Sequence, residues 1–310
     1  MLTRRQVLQG GAAMGVGVTG CGSYALAEPW QLDITHYKVT PPNWPSNLKL
    51  RTAALADFHF CEPFMSAERA RHIVERTNAL KCDAVALLGD YAAGTGISRF
   101  SRHVPARDWA AALAGLKAPY GVHAVLGNHD WWEDDLAVRM KRAPAAQQAL
   151  EAVGIPVHNN RAVRFEKNGA AFWIAGIADQ WALGLRRLNP GQPGRKRYGY
   201  DGFDDLPGTL AQVTDTAPTI LLVHEPDIFP NVPSRVSLTL AGHTHGGQVT
   251  FMGYAPRVPS RYGRRYLYGH IVEDSRSLVV SGGLGCSGLP VRFGRPPEIV
   301  VVELGSDATS

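Results

Sequence analysis

The sequence predicts an α/β fold built around parallel strands. Two observations carry this prediction. Five short, largely apolar runs have the length and composition of strands that are buried on both faces, and they cover residues 48–56, 84–88, 121–126, 219–223 and 236–241. Helical patterns separate the first three runs, and strands that alternate with helices favour parallel pairing in a layered domain.

The predicted helices follow from capping residues and from the spacing of apolar side chains. Ser66 is a favoured N-cap, and buried-type positions then recur at helical spacing from Ala70 to Thr77. A second helix is predicted over residues 107–116. A third is predicted over residues 136–153, where Gly154 and Pro156 would end it.

The second half of the chain is richer in strands. Residues 162–165 and 170–175 flank Lys167-Asn168-Gly169, which is a hairpin signal. Further strands are predicted over residues 265–272, 277–280 and 298–304. Residues 185–200 are rich in Arg, Gly and Pro, so we expect a solvated loop there, with a loop that borders a site as the alternative.

Composition limits the classes of partner. The chain has 310 residues, 45% hydrophobic and 19% charged, which is enough for one large α/β domain. Its formal charge is +5, but Arg4 and Arg5 lie in the first 27 residues, which hold no acid. The rest therefore carries 30 basic against 27 acidic residues, or +3. This charge is too small to indicate nucleic-acid binding.

The N-terminus has the pattern of an export signal. Thr3-Arg4-Arg5-Gln6-Val7-Leu8 is a twin-arginine pattern, and Ala25-Leu26-Ala27 has the form of a cleavage site. Val18-Thr19-Gly20-Cys21 resembles a lipoprotein box, in which Cys21 would be lipidated. We expect a periplasmic or cell-envelope protein, attached to the membrane if Cys21 is acylated. A disordered basic N-terminus is the alternative.

Three regions follow from these patterns. Residues 1–27 are the signal segment, residues 28–47 a lead-in, and residues 48–310 a single domain. The cysteines after the signal segment are Cys61, Cys82 and Cys286. Their irregular spacing is not a disulfide framework, although one pair could form in an oxidising compartment, and it is not the spacing of a zinc site.

Polar side chains follow all five predicted strands. They are Asp57 and His59, Asp90, Asn128, His224, and then His243 and His245 in a Gly-His-Thr-His-Gly turn. Function collects at the carboxyl ends of strands in such sheets. Mixed nitrogen and oxygen ligands suit Mn, Fe, Zn or Co, and the set is large enough for two ions with a shared carboxylate. Scattered polar groups of the core are the alternative.

These motifs, in this order, resemble the five motifs of the calcineurin-like metallophosphoesterases. The resemblance covers roughly residues 50–250, and the twin-arginine signal resembles the exported bacterial phosphodiesterase branch. It implies a four-layer α/β/β/α sandwich of two mixed sheets flanked by helices. It also implies hydrolysis of a phosphoester by a hydroxide that bridges two divalent metal ions.

The resemblance implies a role for each motif residue. Asp57, His59 and His245 would bind the first metal. Asn128, His224 and His243 would bind the second, and Asp90 would bridge them. His129 would protonate the leaving group or stabilise the phosphate. Many family members carry a second Asp that orients this histidine, but Ala93 stands there, so Asp130 or a backbone carbonyl would have to replace it.

The expected substrate is a phosphodiester, either a small molecule or a phospholipid or other envelope component. One alternative is a pyrophosphatase like those that cleave UDP-diacylglucosamine, although an export signal argues against a cytoplasmic substrate. An alternative of another class is a metal-binding envelope protein without catalysis, which the substitution at Ala93 keeps open.

Weaker candidates surround this set. Trp131 and Trp132 would wall a cleft or pack a helix start. Several arginines would grip a phosphate or form a solvated basic surface: Arg257, Arg261, Arg264, Arg265 and Arg292. The remaining histidines considered are expected to be structural or on the surface: His72, His103, His123, His158 and His270.

Overall fold

Most strands form where the apolar runs predict them. The structure is a computed structural model, and it describes residues 22–187 and 198–305. The strands are β1 (Asp33–Val39), β2 (Leu50–Leu55), β3 (Cys61–Glu62), β4 (Ala84–Leu88), β5 (Arg102–His103), β6 (Val122–Val125), β7 (Arg161–Lys167), β8 (Ala170–Gly176), β9 (Gly184–Arg187), β10 (Tyr198–Asp201), β11 (Thr219–Leu222), β12 (Val236–Ala241), β13 (Gly269–Glu273), β14 (Arg276–Val280) and β15 (Glu298–Leu304). The α-helices are α1 (Ala67–Ala79), α2 (Thr95–Ser98), α3 (Ala106–Leu113), α4 (Asn128–Trp132), α5 (Asp135–Met140), α6 (Ala145–Ala152) and α7 (Leu206–Ala211).

Two mixed sheets carry the fold. In the first, β2, β4 and β6 are parallel neighbours, as their alternation with helices predicts. Strand β15 runs antiparallel to β2 and parallel to β1, which gives the order β1-β15-β2-β4-β6. The second sheet has the order β13-β14-β12-β11-β8-β7, with parallel pairs in its centre and an antiparallel pair at each edge.

The layers are defined by three apolar clusters. The cluster between the sheets joins Leu50 of the first sheet to Leu222 and Leu240 of the second. Helices α1, α3 and α6 cover the outer face of the first sheet. Helix α7 and the 3₁₀ segment Pro226–Asn231 cover the outer face of the second. The predicted four-layer α/β/β/α sandwich is confirmed.

Three predictions about local structure are wrong. Residues 136–153 form two helices, α5 and α6, because Lys141 has a left-handed backbone (φ 51°) and Pro144 caps α6. In the stretch 265–272 the strand starts only at Gly269. Both ends of the expected loop 185–200 are paired as β9 and β10, and residues 188–197 lie outside the described residues.

The N-terminal lead-in is part of the sandwich. Residues 28–47 supply the edge strand β1, and the buried carboxylate of Glu28 accepts N–H groups of Gly294 and Arg295. Residues 22–27 are helical, while Arg4, Arg5 and Cys21 lie outside the described residues. In the described ranges, no helix combines the length and the apolar character needed to cross a membrane. Cys61, Cys82 and Cys286 are buried free thiols.

Candidate metal centre

The polar residues that follow separate strands come together where the two sheets meet. Strands β2, β4 and β6 of the first sheet and β11 and β12 of the second all end at this point. All the predicted metal ligands are buried there: Asp57, His59, Asp90, Asn128, His224, His243 and His245. The topology, rather than proximity in sequence, therefore assembles the cluster.

Five of these residues have a left-handed backbone, which only glycine adopts without cost. Their φ values are 55° for Asp57, 47° for His59, 56° for Asp90, 70° for His243 and 52° for His245. Each such residue costs on the order of 1–3 kcal/mol and persists only where the surrounding structure holds it. Strain concentrated at the strand ends is typical of a functional site.

Glycines allow the strand ends to approach so closely. A Cβ on Gly89 would lie 2.5 Å from the backbone nitrogen of Gly127, and Gly89 itself has φ 90°. A Cβ on Gly127 would lie 2.3 Å from Oδ1 of Asp90. A side chain at either position would push apart the ends of β4 and β6.

One group of ligand atoms lies at the ends of β2 and β12. Asp57, His59 and His245 each offer an atom within 4.8 Å of the other two. Nε2 of His59 is 3.0 Å from Nε2 of His245, and Nε2 of His245 is 3.6 Å from Oδ1 of Asp57. The Asp57 carboxylate also accepts the backbone N–H of His243, which fixes it against the histidine turn.

A second group lies beside it. Asp90, His224 and His243 again offer atoms within 4.8 Å of one another. Oδ2 of Asp90 is 3.3 Å from Nε2 of His224 and 3.5 Å from Nε2 of His59, which belongs to the first group. Asp90 therefore lies between the two groups.

The hydrogen bonds of two rings test whether these atoms fit a cation. Nδ1 of His59 faces the carbonyl oxygen of Ala92 at 3.1 Å, and Nδ1 of His224 faces that of Leu88 at 2.6 Å. Each Nδ1 therefore donates its proton to a carbonyl. Asp90 outweighs burial and raises the pKa of His224 well above its usual value, so Nε2 of that ring holds a proton that a bound cation would replace. Burial lowers the pKa of His59 to about 4, so that ring is neutral and directs the lone pair of Nε2 at the Asp90 carboxylate. A lone pair aimed at a carboxylate is unfavourable unless a cation lies between them, so the donor set fits divalent metal ions.

A buried amide oxygen supports the same conclusion. Oδ1 of Asn128, the residue that follows Gly127 at the end of β6, has no hydrogen-bond partner among the described residues. A buried polar atom without a partner costs about 1–3 kcal/mol, so such atoms are uncommon in folded proteins. The amide oxygen is a metal-ligand atom type, and at the second group Nδ1 of His243 faces Nε2 of His224 at 3.3 Å.

Burial sets the charge of the cluster. It lowers the pKa of His59 to about 4 and that of His243 to about 3, so both rings are neutral and able to bind a metal at neutral pH. Burial raises the pKa of Asp57 to about 7. It also acts to raise the pKa of Asp90, but the neighbouring His224 and His129 outweigh it and hold that pKa well below its usual value.

His129 stands at the edge of the cluster, and Glu133 orients it. The half-buried ring lies 5.1 Å from the ring of His59, and its Nδ1 is 3.5 Å from Oε1 of Glu133, one helical turn along α4. Burial acts to lower the pKa of His129, but the carboxylates of Asp90 and Glu133 outweigh it and raise that pKa. No sequence pattern pointed to Glu133, because the short helix α4 was not predicted.

Asp130 does not orient the His129 ring but stabilises the backbone of two neighbouring turns. Its buried carboxylate accepts backbone N–H groups of Gly127, Asp90, Tyr91 and Ala92 at 2.9–3.0 Å. It ties the turn after β4 to the turn after β6 and so fixes the backbone of Asp90. It makes no hydrogen bond to the His129 ring in the described part of the chain.

Aromatic side chains line a recess next to His129. Trp132 meets the His129 ring edge to face at 5.4 Å, and its indole N–H donates to the carbonyl of Trp181. Trp181 stacks on Tyr200 at 3.7 Å and packs its ring against His243 at 4.4 Å. The recess has a volume of about 500 Å³. Trp131 and Trp132 both line this recess, although Trp131 is largely buried in the core. Trp181 was not found from the sequence.

The candidate arginines separate by environment. Arg292 is fully buried, donates to the carbonyls of Gly285 and Gly282, and lies behind His245, so it braces a loop rather than facing a phosphate. Arg261 pairs with Asp227, and Arg265 pairs with Glu273. The remaining two are exposed: Arg257 lines a groove with His245, and Arg264 lies over Tyr254.

The histidines expected outside the site lie outside it. His72, His103 and His270 are exposed, whereas His123 and His158 form a buried pair. None of them belongs to a group of potential metal ligands among the described residues.

Comparison with known proteins gives the family. A model described as "Calcineurin-like phosphoesterase" matches residues 50–247, which include every strand-end motif. The chain is 29% identical to the "Uncharacterized metallophosphoesterase YkuE" of Bacillus subtilis (strain 168), over 98% of each chain. It is 27% identical to an "Uncharacterized metallophosphoesterase" of Aquifex aeolicus (strain VF5), over 91% of this chain and 95% of the relative.

A solved structure that matches is that of the NAD nucleotidase NadN of Haemophilus influenzae, at 15% identity and a TM-score of 0.44. The match covers 76% of this chain and 51% of the nucleotidase, so it spans about half of that protein. The family match and the metallophosphoesterase relatives lead to one conclusion. The chain belongs to the calcineurin-like phosphoesterase family and is a hydrolase of phosphoric ester bonds.

Proposed function

We propose that this enzyme is a phosphodiesterase that works with two divalent metal ions. The observation that carries the proposal is the position of Asp90, whose Oδ2 lies within 3.5 Å of an imidazole nitrogen from each of the two ligand groups. A carboxylate shared in this way suits a dinuclear site. The mixed nitrogen and oxygen donors suit Mn, Fe, Zn or Co.

The ligands divide into two sets. Asp57, His59 and His245 would hold one ion, and Asn128, His224 and His243 would hold the other. Asp90, which lies between the two sets, would serve both. Two such ions would polarise the phosphoryl oxygens and bring the pKa of a coordinated water towards about 7. The protein keeps these side chains in place through the Ala92 and Leu88 carbonyls and through the strained backbone of the strand ends.

His129 is the residue we assign to proton transfer to the leaving group. It is half-buried at the edge of the cluster, next to His59 and the mouth of the aromatic recess. The Glu133 carboxylate lies 3.5 Å from Nδ1, so Nε2 is the nitrogen that we assign to face a substrate oxygen. Proton donation by a positioned side chain contributes typically about 10²–10⁴-fold to rate.

The surface around the cluster favours a diester over a monoester. The aromatic recess is lined by Trp132 and Tyr200, and Trp132 separates it from His129, whose ring it meets at 5.4 Å. A groove of about 290 Å³ begins at His245 on another side and includes Gln248 and Arg257. A phosphodiester has two substituents on phosphorus, and the two concavities offer a place for each. A phosphomonoester would use only one of them.

A substrate comparison tests the proposal. Protein loaded with Mn²⁺ should hydrolyse bis(p-nitrophenyl) phosphate faster than p-nitrophenyl phosphate at equal concentration. Faster hydrolysis of the monoester, p-nitrophenyl phosphate, would contradict the assignment of the enzyme as a phosphodiesterase. Much faster cleavage of a UDP-sugar, which contains a pyrophosphate bond, than of thymidine 5′-monophosphate p-nitrophenyl ester, which is a phosphodiester, would favour the pyrophosphatase alternative.

We also propose that the enzyme is exported by the twin-arginine route and stays attached to the envelope through Cys21. The export pattern is Thr3–Leu8. Retention of residues 22–27 is supported by their contacts: Ala25 accepts the N–H of Arg292, and Tyr24 packs on Phe293. Cleavage after Ala27 would remove both. The mass of the mature N-terminus tests this, because a chain that begins at Glu28 contradicts it.

A further inference from the structure

An exposed apolar turn stands at the far side of the groove that begins at His245. We call residues Phe251, Met252, Gly253 and Tyr254 the tip. Met252 is 93% exposed and Phe251 67% exposed, and Tyr254 is also exposed. Exposed Val249 and Leu289 line the neighbouring groove. Single exposed apolar residues are ordinary, but a contiguous set indicates an interaction surface.

The tip is held rigidly in this exposed position. Phe251 and Tyr254 exchange two backbone hydrogen bonds of 2.9 Å, and Met252 and Gly253 both have positive φ, which is the geometry of a tight two-residue turn. Buried Thr250 donates from its backbone to the carbonyl of Phe293. The apolar side chains therefore cannot fold back onto the protein without breaking these contacts.

Positive charge surrounds the tip. Residues 242–272 contain four arginines and no Asp or Glu. Arg257 and Arg264 are exposed and form no ion pair with any residue in the described ranges. The guanidinium of Arg264 lies 4.7 Å above the Tyr254 ring. An apolar tip with an unpaired basic collar complements an anionic lipid surface, which offers headgroup charge above hydrocarbon.

Residues Tyr24 and Ala25, near the start of the described chain, also lie close to the tip. Tyr24 packs on Phe293, and Ala25 accepts the N–H of Arg292. The strand-like segment 292–294 is also the one to which Thr250 anchors the tip. The described part of the chain therefore begins beside the segment that anchors the tip, and Tyr24 adds exposed apolar surface there.

We propose that the tip docks on the surface of an anionic lipid bilayer. Phe251 and Met252 enter the interface, and Arg257 and Arg264 contact the headgroups. The groove then leads from the bilayer surface to His245, so the enzyme acts on a phosphoester carried by a lipid. This assignment of substrate class rests on the proposed function, whereas the docking itself does not.

An environment-sensitive label tests whether the tip itself enters the bilayer. A nitrobenzoxadiazole label is placed on Met252→Cys in the full-length chain with Cys21→Ser, and vesicles of phosphatidylglycerol and phosphatidylcholine are added. We expect a blue shift and a severalfold rise in emission. The control is the same label on Met140→Cys, a methionine of α5 that is 68% exposed, where the label should stay aqueous. A label at position 252 that stays aqueous overturns the proposal.

A vesicle-binding comparison measures the contribution of the tip. The double variant Phe251→Ser/Met252→Ser should bind phosphatidylglycerol vesicles at least about tenfold more weakly, because two large apolar side chains no longer enter the interface. The matched control is Leu136→Ser/Met140→Ser, which removes two exposed apolar residues elsewhere. Equal loss in both variants, with unchanged melting temperatures, contradicts the proposal.

The contribution of the two exposed arginines beside the tip, Arg257 and Arg264, is tested separately. Arg257→Gln/Arg264→Gln should lose the preference for phosphatidylglycerol over phosphatidylcholine vesicles, and added salt should weaken binding of the unaltered protein. If instead the tip variants abolish a dimer seen by sedimentation, the occupant is a second copy and the bilayer assignment is wrong. These measurements use no substrate, so their outcome is independent of whether the protein hydrolyses diesters.

Discussion

Two pairs of buried histidines stack on one another in the described part of this protein, but only one of these stacked pairs belongs to the candidate metal centre. His59 and His245 stack at 4.9 Å, with Nε2 atoms 3.0 Å apart. His123 and His158 stack at 5.1 Å, with Nδ1 and Nε2 atoms 2.9 Å apart. By ring geometry the two pairs are nearly identical.

Their surroundings differ. Nε2 of His123 donates to the carbonyl of Tyr120, and the ring packs on Phe165 and has no carboxylate partner in the described structure. The His59 and His245 pair lies against the carboxylates of Asp90 and Asp57 and on a strained backbone. Burial neutralises imidazole in both places, so the carboxylates and the convergence of five strand ends are what make a cation site.

The largest effect is expected from Asp90→Asn. The change keeps the shape of the side chain but removes the negative charge that both ligand groups share, and metal-supplied stabilisation amounts to several kcal/mol. We expect diesterase activity to fall by about 10³-fold or more. His158→Gln is the matched control from the other pair and should retain activity within about threefold. Equal losses in both would remove the distinction between the pairs.

His129→Ala should have the next largest effect. We expect kcat to fall by about 10²–10⁴-fold while bound metal stays unchanged, because the residue acts on the leaving group. A substrate with a very acidic leaving group, such as a dinitrophenyl ester, should lose less. A loss of metal from this variant would instead place His129 among the ligands.

Glu133→Gln should have a smaller effect of the same kind. The carboxylate is only partly buried and acts through His129, so we expect kcat to fall by up to about tenfold with unchanged metal content. Asp130→Asn is the contrasting variant, because Asp130 stabilises the fold through four hydrogen bonds from backbone N–H groups rather than acting through His129. It should lower the melting temperature as well as kcat, which thermal unfolding followed by circular dichroism would measure.

The smallest expected effect is on the free energy of unfolding at acid pH, and it comes from the buried pair His123 and His158. Burial lowers the pKa of His158 to about 4, below its unfolded value near 6.5. The unfolded state therefore binds more protons in this range, and stability is lost as pH falls from about 6.5 towards 4. His158→Gln should flatten this loss by roughly 1–2 kcal/mol between pH 7 and pH 5. An unchanged pH dependence of chemical unfolding would contradict it.

The sequence predicted the central strands well because burial on both faces leaves a continuous apolar signal. Strands β4, β12 and β15 lie where they were expected, at Ala84–Leu88, Val236–Ala241 and Glu298–Leu304. Strand β1 was missed because it lies at a sheet edge, where most of its residues stay partly exposed and polar. The break between α5 and α6 was missed although Pro144 marks it.

At the site, the candidate ligands at the strand ends could be predicted from the sequence, but the residues that hold them in place could not. Glycines and histidines follow directly after the apolar runs, where they can be recognised in the sequence. The topology of a parallel sheet then brings the ends of its strands to the same edge of the sheet. Glu133 and Trp181 reach the cluster from a short helix and a loop, where no periodic pattern precedes them. The four hydrogen bonds of Asp130 depend on turn geometry, which the sequence does not state.

Metal content measured by mass spectrometry tests the central claim most directly. Purified protein, saturated with Mn²⁺ and freed of excess, should hold two ions per chain. His243→Ala and His245→Ala should each hold about one, from different groups, while His158→Gln should still hold two. A chain that binds one ion or none, or that loses metal equally when His158 is changed, would contradict a dinuclear centre at the strand ends.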